Sequence, residues 1–572
     1  MLTNYYKQEL RLLKSIAKDF SRDNPALTRA LTGANADPDA TLILEGVAFL
    51  TANIRQELDS QFPKFLHSLA QLVCPQYIRP MPSATMIAFK PKPSLAKPLA
   101  VNAGTYIDSK ESDLGSCRFK TVDKIEILPI NLIDVVEKSR DGDLNFSLQF
   151  ELINTTLDQQ PFDKIRLYIG GEYEEACDLY YLLVNQIKEV TMSSSGDISL
   201  PVDVVQPGGI ENQTSIYPQP PGLMPAYDLL QTYFLFPEKF LFIDIDLSQW
   251  RDRGAGTRFS INISMRKANI ELPKLSKEHF WLNVTPAVNL FEAESHSVLI
   301  SPTENEYQLL PNTGSNKANH EIYAVEQVES NARGVEQSRE YQLFGGHQVN
   351  TSTQSVYELV YKNIHKPSVD TYIKLAFDPN TPIANNEILK AKLTCSNGNQ
   401  ADKLHTGDIG VATSNTPELA TFKNITSPTT SRKIPLDGDM LWQLISHLSL
   451  NYLSITDSST LKSILQQYIS PDAKAKSQRL LNEKKIEAIT EVKIKREERL
   501  FNNAFVHGQN IMVTVKPENF ASLGDRFLFG SILDKFFAST AAINVYSEFV
   551  MEDFFSGEVI KWPAQLGKRA LQ

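Results

Sequence analysis

The sequence predicts a multidomain α+β protein, helical at the N-terminus, β-rich in the middle and mixed α/β at the C-terminus. The chain has 572 residues, several times the length of a typical single domain. Apolar residues recur at helical spacing near the N-terminus, alternate with polar residues in the middle, and follow both patterns near the end. These changes of pattern predict four regions, at residues 1–82, 83–300, 301–434 and 435–572.

The first region is predicted to be helical. Its first helix carries one narrow apolar stripe, formed by Tyr6, Leu10, Leu13, Ala17 and Phe20. A second helix is expected to begin at Pro38, with Asp37 as its N-cap. Its own stripe consists of Ile43, Val47, Leu50, Ile54 and Leu58. A third helix is expected over residues 65–73, ending before Pro75.

These stripes have two interpretations. The helices can fold on each other as a hairpin within the chain, or the stripes can pack against helices of another subunit, as the seam of a coiled coil does. Burying one Leu or Phe side chain contributes roughly 1.5–3 kcal/mol, so either arrangement would be favourable. Spacing alone leaves both interpretations open.

The middle of the chain is predicted to be mainly β. Residues 144–152 alternate apolar and polar side chains without a break, which is typical of a half-buried strand. Shorter strand-like runs occur at 86–89, 125–130, 165–169, 240–245 and 259–263. Residues 313–320 and 331–355 are polar and are expected to form loops.

The final region mixes both patterns. Helices are expected over 440–453, 459–469 and 526–538, and a strand over 510–515. Residues 474–499 carry nine Lys or Arg against five Asp or Glu. A solvated, charged helix face is the favoured interpretation of this stretch, and contact with an acidic partner or a membrane surface is the alternative.

Composition argues against several classes of function. The formal net charge of −10 argues against a broad nucleic-acid or anionic-lipid footprint. The start of the chain lacks the pattern of a secretory signal, and no run of about 18 apolar residues occurs, so a cytoplasmic protein without direct membrane insertion is expected. The four cysteines are scattered, which makes a disulfide framework or a zinc site unexpected.

A search for reaction chemistry gives no strong candidate. No phosphate-binding loop, Gly-x-Ser-x-Gly elbow or His-Glu-x-x-His pair occurs in the sequence. Ser446 and His447 could be drawn as a hydrolase pair, and Cys395 as a nucleophile, but buried structural roles are favoured for these residues. We therefore predict no enzyme and no catalytic, cofactor-binding or metal-binding residues. A β-rich carbohydrate-binding protein is a further alternative.

Several blocks along the chain resemble the TssF (ImpG/VasA) family of type VI secretion system baseplate proteins. One block reads Leu44-Glu45-Gly46-Val47-Ala48-Phe49-Leu50-Thr51-Ala52, and another reads Pro75-Gln76-Tyr77-Ile78-Arg79-Pro80-Met81-Pro82-Ser83. Further similar blocks lie at residues 5–10, 117–121, 167–171, 233–240, 285–291, 321–325, 442–452 and 562–563. Two stretches depart from the family pattern, at residues 396–400 and at 470–500.

The resemblance implies a structural role. TssF-like proteins are wedge subunits, similar to phage tail baseplate wedge proteins, that couple the spike hub to a contractile sheath. The implied partners are a TssG-type subunit (two copies of this chain to one), TssK-type and TssE-type subunits, a VgrG-type spike hub and a second copy of this chain. The implied location is the cytoplasm, docked at the inner-membrane complex. A wedge protein of a phage-like contractile tail particle is the closest alternative.

The resemblance also implies that the N-terminal helices form a bundle-forming arm and that the β-rich regions are wing domains. It favours the partner interpretation of the helical stripes, and it implies that the C-terminal region makes contacts between wedges. The residues expected in the partner interface are Tyr6, Leu10, Leu13, Phe20, Val47, Leu50, Ile54 and Leu58.

Overall fold

The chain divides into two compact units, Met1–Ile78 with Pro435–Ser449, and Arg79–Ile434 with Leu450–Gln572. The first is called the arm unit below and the second the main unit. The computed structural model describes residues 2–23, 38–73, 78–112, 115–137, 144–160, 162–194, 196–210, 215–219, 225–251, 253–266, 270, 272–301, 303–313, 320–332, 338–344, 355–362, 369–376, 387–434, 457–469, 476–501, 504–541, 543 and 545–567.

The arm unit contains two long helices, α1 (Leu2–Asp23) and α2 (Pro38–Val73). Pro38 is the first helical residue of α2, as predicted, whereas Asp37 lies outside the described residues. The prediction of two separate helices over residues 38–73 is wrong, because α2 is continuous over 36 residues. Pro63 lies within it and supplies no backbone N–H, so the helix lacks one backbone hydrogen bond at this position.

A six-stranded antiparallel sheet opens the main unit. Its strands, in spatial order, are Ile409–Ala412, Tyr106–Ser109, Arg118–Thr121, Val284–Val288, Ala84–Pro91 and Ala420–Asn424. The Asn424 side chain accepts hydrogen bonds from the backbone N–H groups of Gly407 and Ile409, which ties the last strand to the first. This sheet draws on residues from both sides of position 300. The four predicted domain bounds remain a prediction.

Two further sheets and two helices form the wing of the main unit. The five-stranded sheet has the order Asp197–Leu200, Ile187–Ser193, Arg258–Met265, Leu144–Leu152 and Ile130–Glu137. The four-stranded sheet has the order Val205–Pro207, Phe242–Asp246, Lys164–Ile169 and Phe280–Leu282. A short pair joins Leu99–Val101 to Ile125–Ile127. Phe150 of the predicted strand stacks on Phe259, with ring centroids 5.0 Å apart.

Helices α3 (Tyr173–Asn185) and α4 (Pro225–Leu235) are absent from the sequence prediction. Most of the described side chains of α4 are buried, as are six residues of α3. A helix that is apolar on several sides shows no single stripe, and its short apolar runs resemble buried strands.

The largest sheet has eight strands. Seven follow the order Phe291–Glu294, Glu387–Ser396, Glu321–Ala332, Arg339–Leu343, Val356–Lys362, Asp370–Ala376 and Glu306–Gln308, and Val298–Leu299 also pairs with Glu387–Ser396. The predicted loop over 331–355 is wrong at Arg339–Leu343, which forms a strand with Tyr341 buried. One buried side chain among polar ones is too short a pattern to reveal a strand.

The C-terminal part contains α5 (Ser458–Gln466), α6 (Lys476–Glu487) and α7 (Leu523–Thr540). Its sheet consists of Ile489–Phe501, Ala504–Val515, Val545–Asp553, Val559–Lys561 and Gln565–Leu566. The strands before and after α7 pair in parallel, as in a βαβ unit. The predicted helix over 440–453 lies outside the described residues.

The basic stretch 474–499 was predicted as a helix face, and this is wrong for its second half. After α6 ends at Glu487, residues from Ile489 onward form a strand paired antiparallel with Ala504–Val515. The physical reason is the alternation of Val492 and Ile494 with charged residues, which fits the two sides of a strand. Together, the helices and sheets confirm the multidomain α+β class.

Candidate functional site

The arm unit is a helix pair with small residues at its centre. Helix α1 contacts α2, and Ala48 and Ala52 of α2, one turn apart, are fully buried. Glu9 of α1 is also buried and accepts a hydrogen bond of 2.5 Å from Arg55 of α2. Small side chains allow helices to approach closely, and the ion pair fixes their register. The hairpin interpretation of the stripes is therefore realised for part of each helix.

Seven of the eight residues predicted for a partner interface divide into two groups in the structure. Tyr6, Leu10 and Leu13 are half-buried on α1. Phe20, Val47, Leu50 and Ile54 are exposed, with 62% of Leu50 and 61% of Ile54 accessible. Leu58 lies in α2, but its side chain is outside the described part of the chain. The partner role of all eight stays a prediction.

Six other exposed apolar residues on the same helices were not among the eight predicted interface residues, although Ile43 belongs to the predicted stripe of the second helix. They are Leu12, Ile16, Leu42, Ile43, Phe49 and Phe65. We call these six, together with Phe20, Val47, Leu50 and Ile54, the arm face. The available signal was that α2 carries apolar residues on more than one side, at 42, 43, 47, 49, 50 and 54. Grouped exposed apolar residues are a common feature of interaction surfaces, which makes the arm face a candidate.

A buried ionic cluster joins the wing to the C-terminal part of the main unit. Lys485 Nζ of α6 lies 2.6 Å from Asp525 Oδ1 of α7, and both side chains are almost completely buried. The Tyr173 hydroxyl of α3 donates to the same Asp525 oxygen at 2.8 Å. Lys485 also donates to the Tyr233 hydroxyl of α4 at 3.3 Å. Four helices thus meet at one charge pair.

Burial affects the two tyrosine hydroxyls of this cluster. Desolvation raises the pKa of the Tyr173 and Tyr233 hydroxyls well above 10, so both remain protonated and can donate. Removing one partner of a buried ion pair typically costs 3–5 kcal/mol. The cluster therefore has the character of a structural connection between parts of the chain that are far apart in sequence.

The cysteines behave as buried apolar side chains. Cys117, Cys177 and Cys395 are free thiols in the core, and Cys74 lies outside the described residues. Burial raises the pKa of Cys117 and of Cys395 to about 12, so neither forms a thiolate near neutral pH. Ser446 and His447 also lie outside the described residues.

Two other searches concern metals and membranes. Within the described ranges, no group of three or more His, Cys, Asp or Glu side chains is placed to hold a metal ion. In the same part of the chain, no helix combines the length and the hydropathy needed to cross a membrane.

Comparison with known proteins adds the family. A family model described as "Type VI secretion system, TssF" matches residues 1–569. The chain is 24% identical to the type VI secretion system component TssF1 of Pseudomonas aeruginosa over 628 residues, covering 99% of each protein.

Two solved structures share the fold. One is a chain of the type VI secretion system TssK–TssF–TssG baseplate subcomplex, with a TM-score of 0.75, 23% identity and coverage of 92% of this chain and 99% of that one. The other comes from the baseplate complex of the type VI secretion system, with a TM-score of 0.61, 21% identity and full coverage of both chains. The family model spans nearly every residue. The chain therefore belongs to the TssF family of the type VI secretion system.

Proposed function

We propose that this TssF-family chain is a non-enzymatic baseplate subunit that binds its neighbouring subunits through its helical arm. The observation that carries the proposal is the arm face, because a small unit that exposes Leu50, Ile54 and Phe49 needs a partner to cover them. A structural role also fits the buried ion pair of Lys485 and Asp525, which connects two helices of the main unit.

The proposed partners follow from the relatives. The solved relative in the TssK–TssF–TssG subcomplex supports TssG-type and TssK-type subunits as the first partners. A TssE-type subunit, a VgrG-type spike hub, a second copy of this chain and a ratio of two copies to one TssG-type subunit extend the proposal. The proposed location is the cytoplasmic side of the inner-membrane complex.

The proposed mechanism is mechanical coupling. A baseplate subunit must hold its neighbours through stable interfaces and pass a change of shape from one contact to the next. Each Leu, Ile or Phe of the arm face that becomes buried contributes roughly 1.5–3 kcal/mol, so a few such residues make a stable anchor. The buried cluster around Lys485 would keep the C-terminal part and the wing moving as one body.

The experiment is co-expression with the TssG-type and TssK-type subunits of the same gene cluster. We expect Leu50→Asp with Ile54→Asp to abolish copurification, because two carboxylates would be buried in an apolar interface. Mass measurement by light scattering should give two copies of this chain for one TssG-type subunit in the unaltered complex.

A matched control lies in the main unit. Leu299 and Ile388 are 58% and 41% exposed, so Leu299→Asp with Ile388→Asp makes the same two kinds of substitution away from the arm. This variant should copurify normally. The proposal fails if the arm variant still forms the full complex, or if the control loses it to the same degree.

A further inference from the structure

A cleft of about 450 Å³ lies in the main unit where three sheets meet. Its walls come from Ala84–Pro91 and Ala420–Asn424 of the six-stranded sheet, Ile130–Glu137 of the five-stranded sheet and Phe280–Leu282 of the four-stranded sheet. Clefts at the junction of packed elements, with apolar walls and few polar groups, are the usual place for ligands and peptides.

The apolar wall of the cleft is held in place. The Trp281 indole N–H donates to the backbone carbonyl of Glu278 at 2.8 Å. The edge of the same ring lies against Gly170, where an added Cβ would be only 2.8 Å from Nε1. Phe422 packs on Phe89 with ring centroids 5.7 Å apart. An aromatic surface fixed in this way can receive a side chain at little entropic cost.

The rim of the cleft is cationic. Lys90, Lys277 and Lys423 are exposed around it, and Lys423 Nζ lies 5.6 Å from the centroid of the Trp281 ring. Among the described side chains, no carboxylate forms an ion pair with any of these three amines. Of the carboxylates that the structure describes, Glu278 alone lines the cleft. In a chain of net charge −10, this rim favours an occupant that combines an apolar anchor with carboxylates.

The chain presents such a segment elsewhere on the main unit. Phe554 and Phe555 follow the strand Val545–Asp553 and are 52% and 64% exposed. Their rings meet edge to face at 5.2 Å. Carboxylates flank the pair at residues 552, 553 and 558. We call residues 552–558 the aromatic turn.

The aromatic turn is rigid. Asp553 Oδ1 accepts the backbone N–H groups of Phe555 and Ser556 at 2.9 and 3.0 Å, and Asp553 is also paired with the buried Arg526. Gly557 adopts the positive φ of 68° that the turn requires. Two large aromatic side chains are therefore held in solvent by a network that fixes the backbone beneath them.

We propose that the cleft of one copy receives the aromatic turn of a second copy. Phe555 enters between Trp281 and Phe422, and the exposed carboxylate of Glu558 faces the lysines of the rim. Because cleft and turn are different surfaces of one chain, the contact is heterologous and propagates from copy to copy, closing into a ring if the rotation allows. The inference rests on the proposed function, which places several copies in one baseplate.

The test is disulfide cross-linking between two differently tagged copies, co-expressed with the TssG-type and TssK-type subunits. One copy carries Lys423→Cys and the other carries Ser556→Cys, and both substituted residues are exposed. We expect a linked species of two chains in the mixed combination under mild oxidation, and no such species when either variant is expressed alone.

Three variants sharpen the test. Phe555→Ala and Trp281→Ala in the mixed combination should each lower the linked fraction about tenfold, as expected for the loss of one buried aromatic side chain. Glu558→Lys should lower it further in low salt, where charges at the rim are least screened. As a control, Val411→Cys replaces Lys423→Cys at an exposed position outside the cleft and should give no linked species with Ser556→Cys.

The outcomes separate this contact from the proposed function. If the subunits copurify but the mixed combination gives no linked species, or the Val411→Cys control links equally well, the contact between copies is wrong and the proposed function stands. An unchanged linked fraction in both aromatic variants also overturns the contact. Failure of the unaltered chain to copurify counts against the proposed function and this inference together.

Discussion

Asp534 shows how one residue can make the stability of this fold depend on pH. Its side chain lies on α7 and is 2% exposed, and the Gln565 side-chain amide donates a hydrogen bond to Oδ2. Burial raises the pKa of this carboxyl from 3.8 to about 7, while Lys535 and Gln565 lower it in part. The folded protein therefore holds a proton on Asp534 at pH values where the unfolded chain has lost it.

The sign of the effect follows from proton linkage. Between pH 4 and pH 7 the folded state binds more protons at this site, so the contribution of Asp534 to stability falls as pH rises. The interval between the two pKa values corresponds to at most about 4 kcal/mol. We predict that Asp534→Asn raises the free energy of unfolding at pH 8 and leaves it nearly unchanged at pH 4. Denaturant unfolding at the two pH values measures the difference. A variant that is equally or less stable at pH 8 would contradict the assignment.

The sequence could not indicate the residues that hold the main unit together. Lys485 belongs to a stretch of charged residues that predicts a solvated helix face, and Asp525 follows 40 positions later. Only the fold brings both to Tyr173 and Tyr233, from the wing. Helical periodicity did single out Val47, Leu50 and Ile54, which are exposed in the structure. Periodicity could not decide which side of α2 is covered by α1.

At the scale of elements, helices and strands buried on one side were easier to predict than those buried on several sides. The strand Leu144–Leu152 was predictable because one face is more buried than the other. Helix α1 was predictable because its apolar residues recur at helical spacing along one side. Helix α4 was not, because burial on several sides removes the pattern. The strand Ile489–Phe501 was also missed, since many of its charges favoured continuing α6. Strand pairing supplies the tertiary context that sequence patterns lack.

The packing of α7 against α3 depends on one glycine. Gly524 lies in the first turn of α7, where its N–H donates to Asp178 Oδ1 at 2.7 Å. A Cβ at this position would lie 2.1 Å from the carbonyl oxygen of Cys177. Backbone atoms of a buried helix cannot yield easily, so a larger residue must push the two helices apart.

We predict that Gly524→Ala destabilises the main unit by about 3 kcal/mol or more, through this overpacking. Gly46 provides the matched control: it is exposed within α2, and nothing lies within 4 Å of an added Cβ. Gly46→Ala should be neutral or slightly stabilising, because alanine favours helices. Thermal unfolding of the two variants distinguishes them. Equal melting temperatures would show that the contact between α3 and α7 is looser than described.

At the scale of the whole molecule, the two units have different kinds of stabilisation. The sheets and the ionic cluster of the main unit are built entirely from residues within Arg79–Ile434 and Leu450–Gln572. The arm unit has a small core around Ala48, Ala52 and Glu9 and leaves many apolar side chains exposed. A unit of this kind gains much of its stability from binding, because a partner that binds only the folded state stabilises it by mass action.

We therefore predict that a chain beginning at Arg79 folds but no longer copurifies with the TssG-type subunit. Removal of residues 1–78 also removes Cys74, which leaves three cysteines, all buried in the main unit. A thiol reagent should label none of them in the native truncated chain and all three after denaturation, because burial raises the pKa of each thiol and excludes the reagent. Rapid labelling under native conditions would mean that the main unit depends on the arm for its fold. Retained binding with the thiols protected would instead place the partner's main contact outside the arm face.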